Sequence, residues 1–133
     1  MAEQYIEIGS DKQLTLTVLG ANGSALDLSG YEGYGVTLYY KDTNVVIEKY
    51  SSNVVTGWNN TDIDTSSEAS GIIYIDFRRA YSELGREGAQ VYFKVQIQST
   101  DADYASSQFR DLTGPAYCFT YRGGGVAATT DLS

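Results

Sequence analysis

Val91-Tyr92-Phe93-Lys94-Val95-Gln96-Ile97-Gln98 sets Val91, Phe93, Val95 and Ile97 on one side of an extended chain and Lys94, Gln96 and Gln98 on the other. That alternation is the mark of a strand with one face in a core and one in water. Upstream, Gly71-Ile72-Ile73-Tyr74-Ile75-Asp76-Phe77 has the β-branched and aromatic enrichment of a core strand. The span from Arg78 to Gly85 fits one helical turn that packs Tyr81 and Leu84 and closes on Gly85 in a left-handed cap.

Nearer the amino terminus, Leu14, Leu16 and Val18 alternate with Thr15 and Thr17, a second strand with one buried face. It runs into Gly20-Ala21-Asn22-Gly23-Ser24, whose Asn-Gly pair accepts the positive φ of a tight reversal. Val36, Leu38 and Tyr40 alternate with Thr37, Tyr39 and Lys41, and Asp42-Thr43-Asn44 parts them from Val45-Val46-Ile47, which predicts a hairpin. Ser51 to Ser70 reads as a long polar loop with room for one short strand. Toward the carboxyl terminus, Gln108 to Leu112 and Ala116 to Tyr121 supply two further strands, split by Gly114-Pro115. These elements predict an all-β, immunoglobulin-like antiparallel β-sandwich of about seven strands with one short helical turn, a small closed barrel being the alternative. The sandwich is expected to span residues 1–122. Residues 123–133, beginning Gly123-Gly124-Gly125, lose periodicity and are expected to form a flexible, glycine-hinged carboxyl-terminal arm.

Composition narrows the chemistry. A chain of 133 residues suits one domain with its own core. Nine Lys and Arg against seventeen Asp and Glu give a formal net charge of −8, which repels nucleic-acid phosphate and anionic lipid headgroups, so no nucleic-acid or membrane partner is expected. With no histidine and a single Cys118, imidazole-based triads, His-based zinc sites and an internal disulfide are all excluded. Cys118 falls in a strand and reads as a buried structural thiol. The opening MAEQYIEIGSDKQ has neither the basic region nor the apolar run of a signal peptide, which predicts synthesis in a cytoplasm.

Carboxylate clusters are the remaining candidates for chemistry. Asp62, Asp64 and Glu68 share one loop, and Asp101 and Asp103 another, but neither has the spacing of an EF-hand. Such polar loops offer no opposed environments that would split carboxylate pKa values. We therefore expect no catalytic residue, no cofactor and no metal. The contact candidates are aromatic and apolar: Trp58 in its polar loop, Tyr31, Tyr34 and Tyr39 in or beside strands, and Val126 and Leu132 in the arm. Twelve tyrosines in one chain can border a core with wet hydroxyls, or present a protein-contact patch or a sugar-stacking platform. Trp58 can equally plug the underside of its loop.

Leu14-Thr15-Leu16-Thr17-Val18, Asn22-Gly23, Ala25-Leu26-Asp27-Leu28-Ser29-Gly30 and Val36-Thr37-Leu38-Tyr39-Tyr40 together resemble the opening of the immunoglobulin-like domains of tailed-phage virion proteins, in particular the amino-terminal domains of baseplate upper proteins. Gly71 to Phe77, the turn at Arg79 to Gly85 and Val91 to Gln98 continue the resemblance, which covers roughly residues 12 to 98. It implies a non-enzymatic component of a phage particle, made in the host cytoplasm and located in the virion. A baseplate or tail adaptor, a capsid decoration protein and a fibre-anchoring domain all fit. It would act as a homo-oligomer or docked on other virion proteins. The alternative reading is a carbohydrate-binding module that engages a glycan through Trp58 and exposed tyrosines.

Overall fold

The computed structural model describes residues 4–20, 22–31, 33–98, 109–112 and 115–122. The arm residues Val126 and Leu132 and the Asp101–Asp103 pair lie outside the described residues. The strands are β1 (Tyr5–Glu7), β2 (Lys12–Thr17), β3 (Tyr34–Tyr40), β4 (Val46–Ser51), β5 (Ile63–Asp64), β6 (Ile72–Phe77), β7 (Gln90–Gln98), β8 (Phe109–Asp111) and β9 (Ala116–Arg122). One 3-10 turn, Glu68–Ser70, precedes β6, and one helical turn, α1 (Arg79–Ser82), follows it.

The strands form two sheets. The larger runs β1-β9-β7-β3-β4, and the smaller runs β2-β6-β5. Because β3 takes one flank of β7 along Val91 to Ile97, β9 and β8 share the other, β9 along Gln90 to Phe93 and β8 along Gln96 to Gln98. This is the immunoglobulin arrangement: β2, β6 and β5 stand where strands B, E and D do, β3, β7 and β9 where C, F and G do, and β4 extends the second sheet as in variable-type domains.

Alternation along each strand builds the core between the sheets. Leu14, Leu16, Ile73, Ile75 and Phe77 come from the smaller sheet, and Val36, Leu38, Tyr50, Val91, Phe93, Val95, Ile97, Phe119 and Tyr121 from the larger. Phe119 sits at the centre, 5.3 Å from Phe77 and 5.1 Å edge-on from Tyr121, between ring centroids. The Asp27-Leu28-Ser29 corner works by the same logic. Asp27 accepts the Ser29 amide at 2.9 Å, which turns the chain, and Leu28 plugs the core while its amide donates to the Glu68 carbonyl at 3.0 Å.

Three expectations need correction. The amino-terminal stretch, to which the sequence assigns no strand, contains β1, which pairs in parallel with β9 through Tyr5–Thr120, Ile6–Tyr121 and Glu7–Arg122, so the sandwich is not wholly antiparallel. Three residues carry too short an alternation to announce a strand, and only Ile6 is buried. The helical turn forms and Tyr81 packs on the core, but Leu84 is exposed. Gly85 does not adopt a left-handed cap. A Cβ there would collide with the Tyr121 ring, so the glycine serves close approach instead.

Candidate interaction surface

The loop carboxylates, the first place to look for chemistry, are each engaged separately. Asp62 Oδ1 accepts Nε and Nη2 of Arg78 at 3.0 and 2.8 Å, and its Oδ2 accepts Asn59 Nδ2 at 3.1 Å. Partial burial pushes the Asp62 carboxyl up, but the hydrogen bonds and charge of Arg78 and the Asn59 bond outweigh it and hold the group below its ordinary value. Asp64 Oδ1 caps the Ser66 amide at 2.8 Å, and Glu68 accepts the Tyr34 hydroxyl. Among the described residues no three of His, Cys, Asp and Glu converge on a point that could hold a metal ion. Cys118 is 7% exposed, and burial pushes its thiol up to about 12, far from a thiolate at neutral pH.

Trp58 is half-buried, with Lys49 Nζ 5.0 Å from its ring centroid. The residues after it have a role that the sequence did not disclose. The Asn59 amide donates to the Lys49 carbonyl at 2.7 Å, the Asn59 carbonyl accepts the Ser51 amide at 2.9 Å, and Asn60 Nδ2 donates to the Ser51 carbonyl at 2.9 Å. The loop thus covers the outer edge of β4 and satisfies main-chain groups that would otherwise pair with another chain. Glu48, Trp58, Asn60, Thr61 and Asp62 line a shallow open depression of about 470 Å³ beside it.

The three tyrosine candidates fall in different places. Tyr34 is 1% exposed and belongs to the core, which removes it as a surface contact: its position on β3 points inward, and its hydroxyl is tied to Glu68. Tyr31 is half-buried and packs on the core rim. Tyr39 is the one on the outer face of the larger sheet. There it stands opposite Tyr92 of β7, whose ring meets Tyr117 of β9 edge-on at 5.9 Å and carries Lys41 Nζ at 5.4 Å. Thr37, Tyr39, Asn44, Val46, Lys94 and Pro115 enclose a neighbouring groove of about 260 Å³. Tyr92 and Tyr117 went unremarked as partners of Tyr39 because strand register, which joins them, is not local in sequence.

The strand edges differ sharply. β1 and β8 have three residues each and β5 two, β4 is covered by Asn59 and Asn60, and β2 has six. In the described residues β2 has a strand neighbour on one side only, β6. Val18 donates its amide to the Gly71 carbonyl at 2.7 Å, and the register continues through Leu16–Ile73 and Leu14–Ile75. Residues of even number therefore turn their main chain toward β6, and Gln13, Thr15 and Thr17 turn theirs outward. All three are exposed.

No family model matches the chain, and neither the curated proteins nor the solved structures contain a match to it.

Proposed function

We propose that this chain is a non-catalytic structural component of a tailed-phage particle, a baseplate or tail adaptor, a capsid decoration protein or a fibre-anchoring domain, working through contacts with other virion proteins. The observation that carries the reading is the outer face of the larger sheet, where Tyr39, Tyr92 and Tyr117 gather beside Val46 and Lys94. Rigid, amphipathic rings on a sheet give contact area at small entropic cost, which suits a permanent protein interface. The immunoglobulin topology and the likeness of residues 12 to 98 to virion domains support the same reading. Antibodies against the domain should decorate particles in electron micrographs at a fixed location. Particles that never bind them would sink the proposal.

A carbohydrate-binding module is the second reading. It is favoured by the half-buried Trp58 beside a depression lined by Glu48, Asn60, Thr61 and Asp62. Lys49 over the ring weighs against it, because a sugar would have to displace that contact to stack on the same face. Glycan-array binding lost in a folded Trp58→Ala variant would establish this reading; silence on the array would leave the particle role ahead.

A further inference from the structure

We propose that β2 is a self-association edge, on which a second copy of this chain adds its own β2 antiparallel across a two-fold axis at Thr15. The proposal rests on reading the domain as a protein-contact module and names its partner. Among the described residues the other strand edges, those of β1, β4, β5 and β8, are short or covered, whereas Lys12-Gln13-Leu14-Thr15-Leu16-Thr17 turns the main-chain groups of Gln13, Thr15 and Thr17 to an unpaired flank with no proline, glycine or bulge to blunt them. Charge is confined to its first residue, so the devices that usually protect an edge are missing from its middle.

The sequence of the strand makes it its own complement. With the axis at Thr15, that residue faces Thr15 of the partner subunit, and Gln13 faces Thr17 of the partner subunit. Both are polar, uncharged pairs of the kind that hydrogen-bond across strands. Lys12 falls opposite Val18 of the partner subunit, and Asp11 opposite Leu19 of the partner subunit, so no like charges meet despite the net charge of −8. An isologous contact closes on itself after two copies and fuses two three-stranded sheets into one, without the open-ended growth that an unprotected edge otherwise invites. Leu14 and Leu16 keep their places in the core, since only the outward main chain takes part. An edge this short gives modest affinity, in the range from about 1 μM to 1 mM, which multivalent attachment to a particle would reinforce.

The test uses the intact chain in sedimentation velocity over a concentration series, with two variants. Thr15→Lys leaves the hydrogen bonds to β6 in place but sets two ammonium groups against each other at the axis. It should weaken association at least about tenfold while leaving the melting temperature of the monomer unchanged. Thr15→Cys places two thiols at a cross-strand spacing compatible with a disulfide, so mild oxidation should yield a covalent dimer, the buried Cys118 staying unmodified. A wild-type protein still monomeric at about 1 mM overturns the proposal. So does a dimer that Thr15→Lys leaves intact or that Thr15→Cys fails to cross-link. A monomer that is nonetheless found in particles overturns the dimer alone; a β2-linked dimer absent from particles overturns the particle role alone.

Discussion

The hydroxyl of Tyr34 donates to Oε1 of Glu68 at 2.8 Å, joining β3 of the larger sheet to the 3-10 turn that leads into β6 of the smaller. The same Glu68 accepts the amides of Leu28 and Gly71 on its main-chain carbonyl, so one residue ties the corner, the turn and the second sheet together. Tyr34→Phe is expected to lower unfolding free energy by about 1–2 kcal/mol, measured by urea denaturation, because the part-buried Glu68 carboxylate loses the hydroxyl that donates to it. Glu68→Gln keeps an acceptor and should cost less. No loss in Tyr34→Phe would mean that the bond contributes nothing to stability.

Gly71 carries a second constraint. Its φ is +74°, and a Cβ there would lie 2.8 Å from the Leu26 carbonyl oxygen, 2.9 Å from the Leu26 nitrogen and 3.0 Å from the Val18 carbonyl oxygen. Backbone cannot swing aside as a side-chain tip can. Gly71→Ala should therefore destabilise by more than the roughly 1 kcal/mol of left-handed strain, to about 2 kcal/mol or beyond. Gly23→Ala shares a positive φ but meets nothing within 4 Å, and should show the strain alone. Melting curves of the two variants that coincide would contradict the crowding at Gly71.

Tyr50 buries a hydroxyl that has no hydrogen-bond partner among the described residues. Removing such a group relieves a desolvation cost, so Tyr50→Phe should be neutral to stabilising, by up to about 1 kcal/mol. A loss above about 1 kcal/mol would show that the hydroxyl is bonded in solution.

Alkaline pH probes the same core. Burial raises the phenols of Tyr34, Tyr50 and Tyr121 above their ordinary value, and the Glu48 hydrogen bond, helped by burial, holds Tyr81 up at about 12. Folded values above an unfolded value of about 10 mean that the stabilising contribution is complete below pH 10 and is lost as pH rises through the folded values. The melting temperature should stay level from neutral pH to about 9 and fall between about 10 and 12. A level profile through pH 12 would contradict buried, neutral phenols.

The fold was legible wherever burial alternates along the chain. Leu14 to Val18, Ile73 to Phe77 and Val91 to Ile97 each write their inward face into the sequence, and Asp27-Leu28-Ser29 writes its corner through a side chain that bonds two residues ahead. β1 was not legible, because three residues held by a parallel neighbour from the far end of the chain carry no local pattern. Tyr34 was misplaced for a related reason: a tyrosine looks like rim until the acceptor that lets it sink, here Glu68, is known. The candidate contact surface was half visible. Tyr39 could be picked from its strand, but its grouping with Tyr92 and Tyr117, the covering of β4 by Asn59 and the open flank of β2 all depend on which strands are neighbours.

Quantitative mass spectrometry of purified particles, with copy number referred to a major particle protein, tests the structural role most directly. A contact module built into the virion should be recovered at a constant, near-integer ratio that survives high-salt washing, since its contacts rest on tyrosine rings and strand edges more than on exposed charge. Absence of the chain from particles, or recovery only in traces that vary between preparations and wash away, would contradict that role.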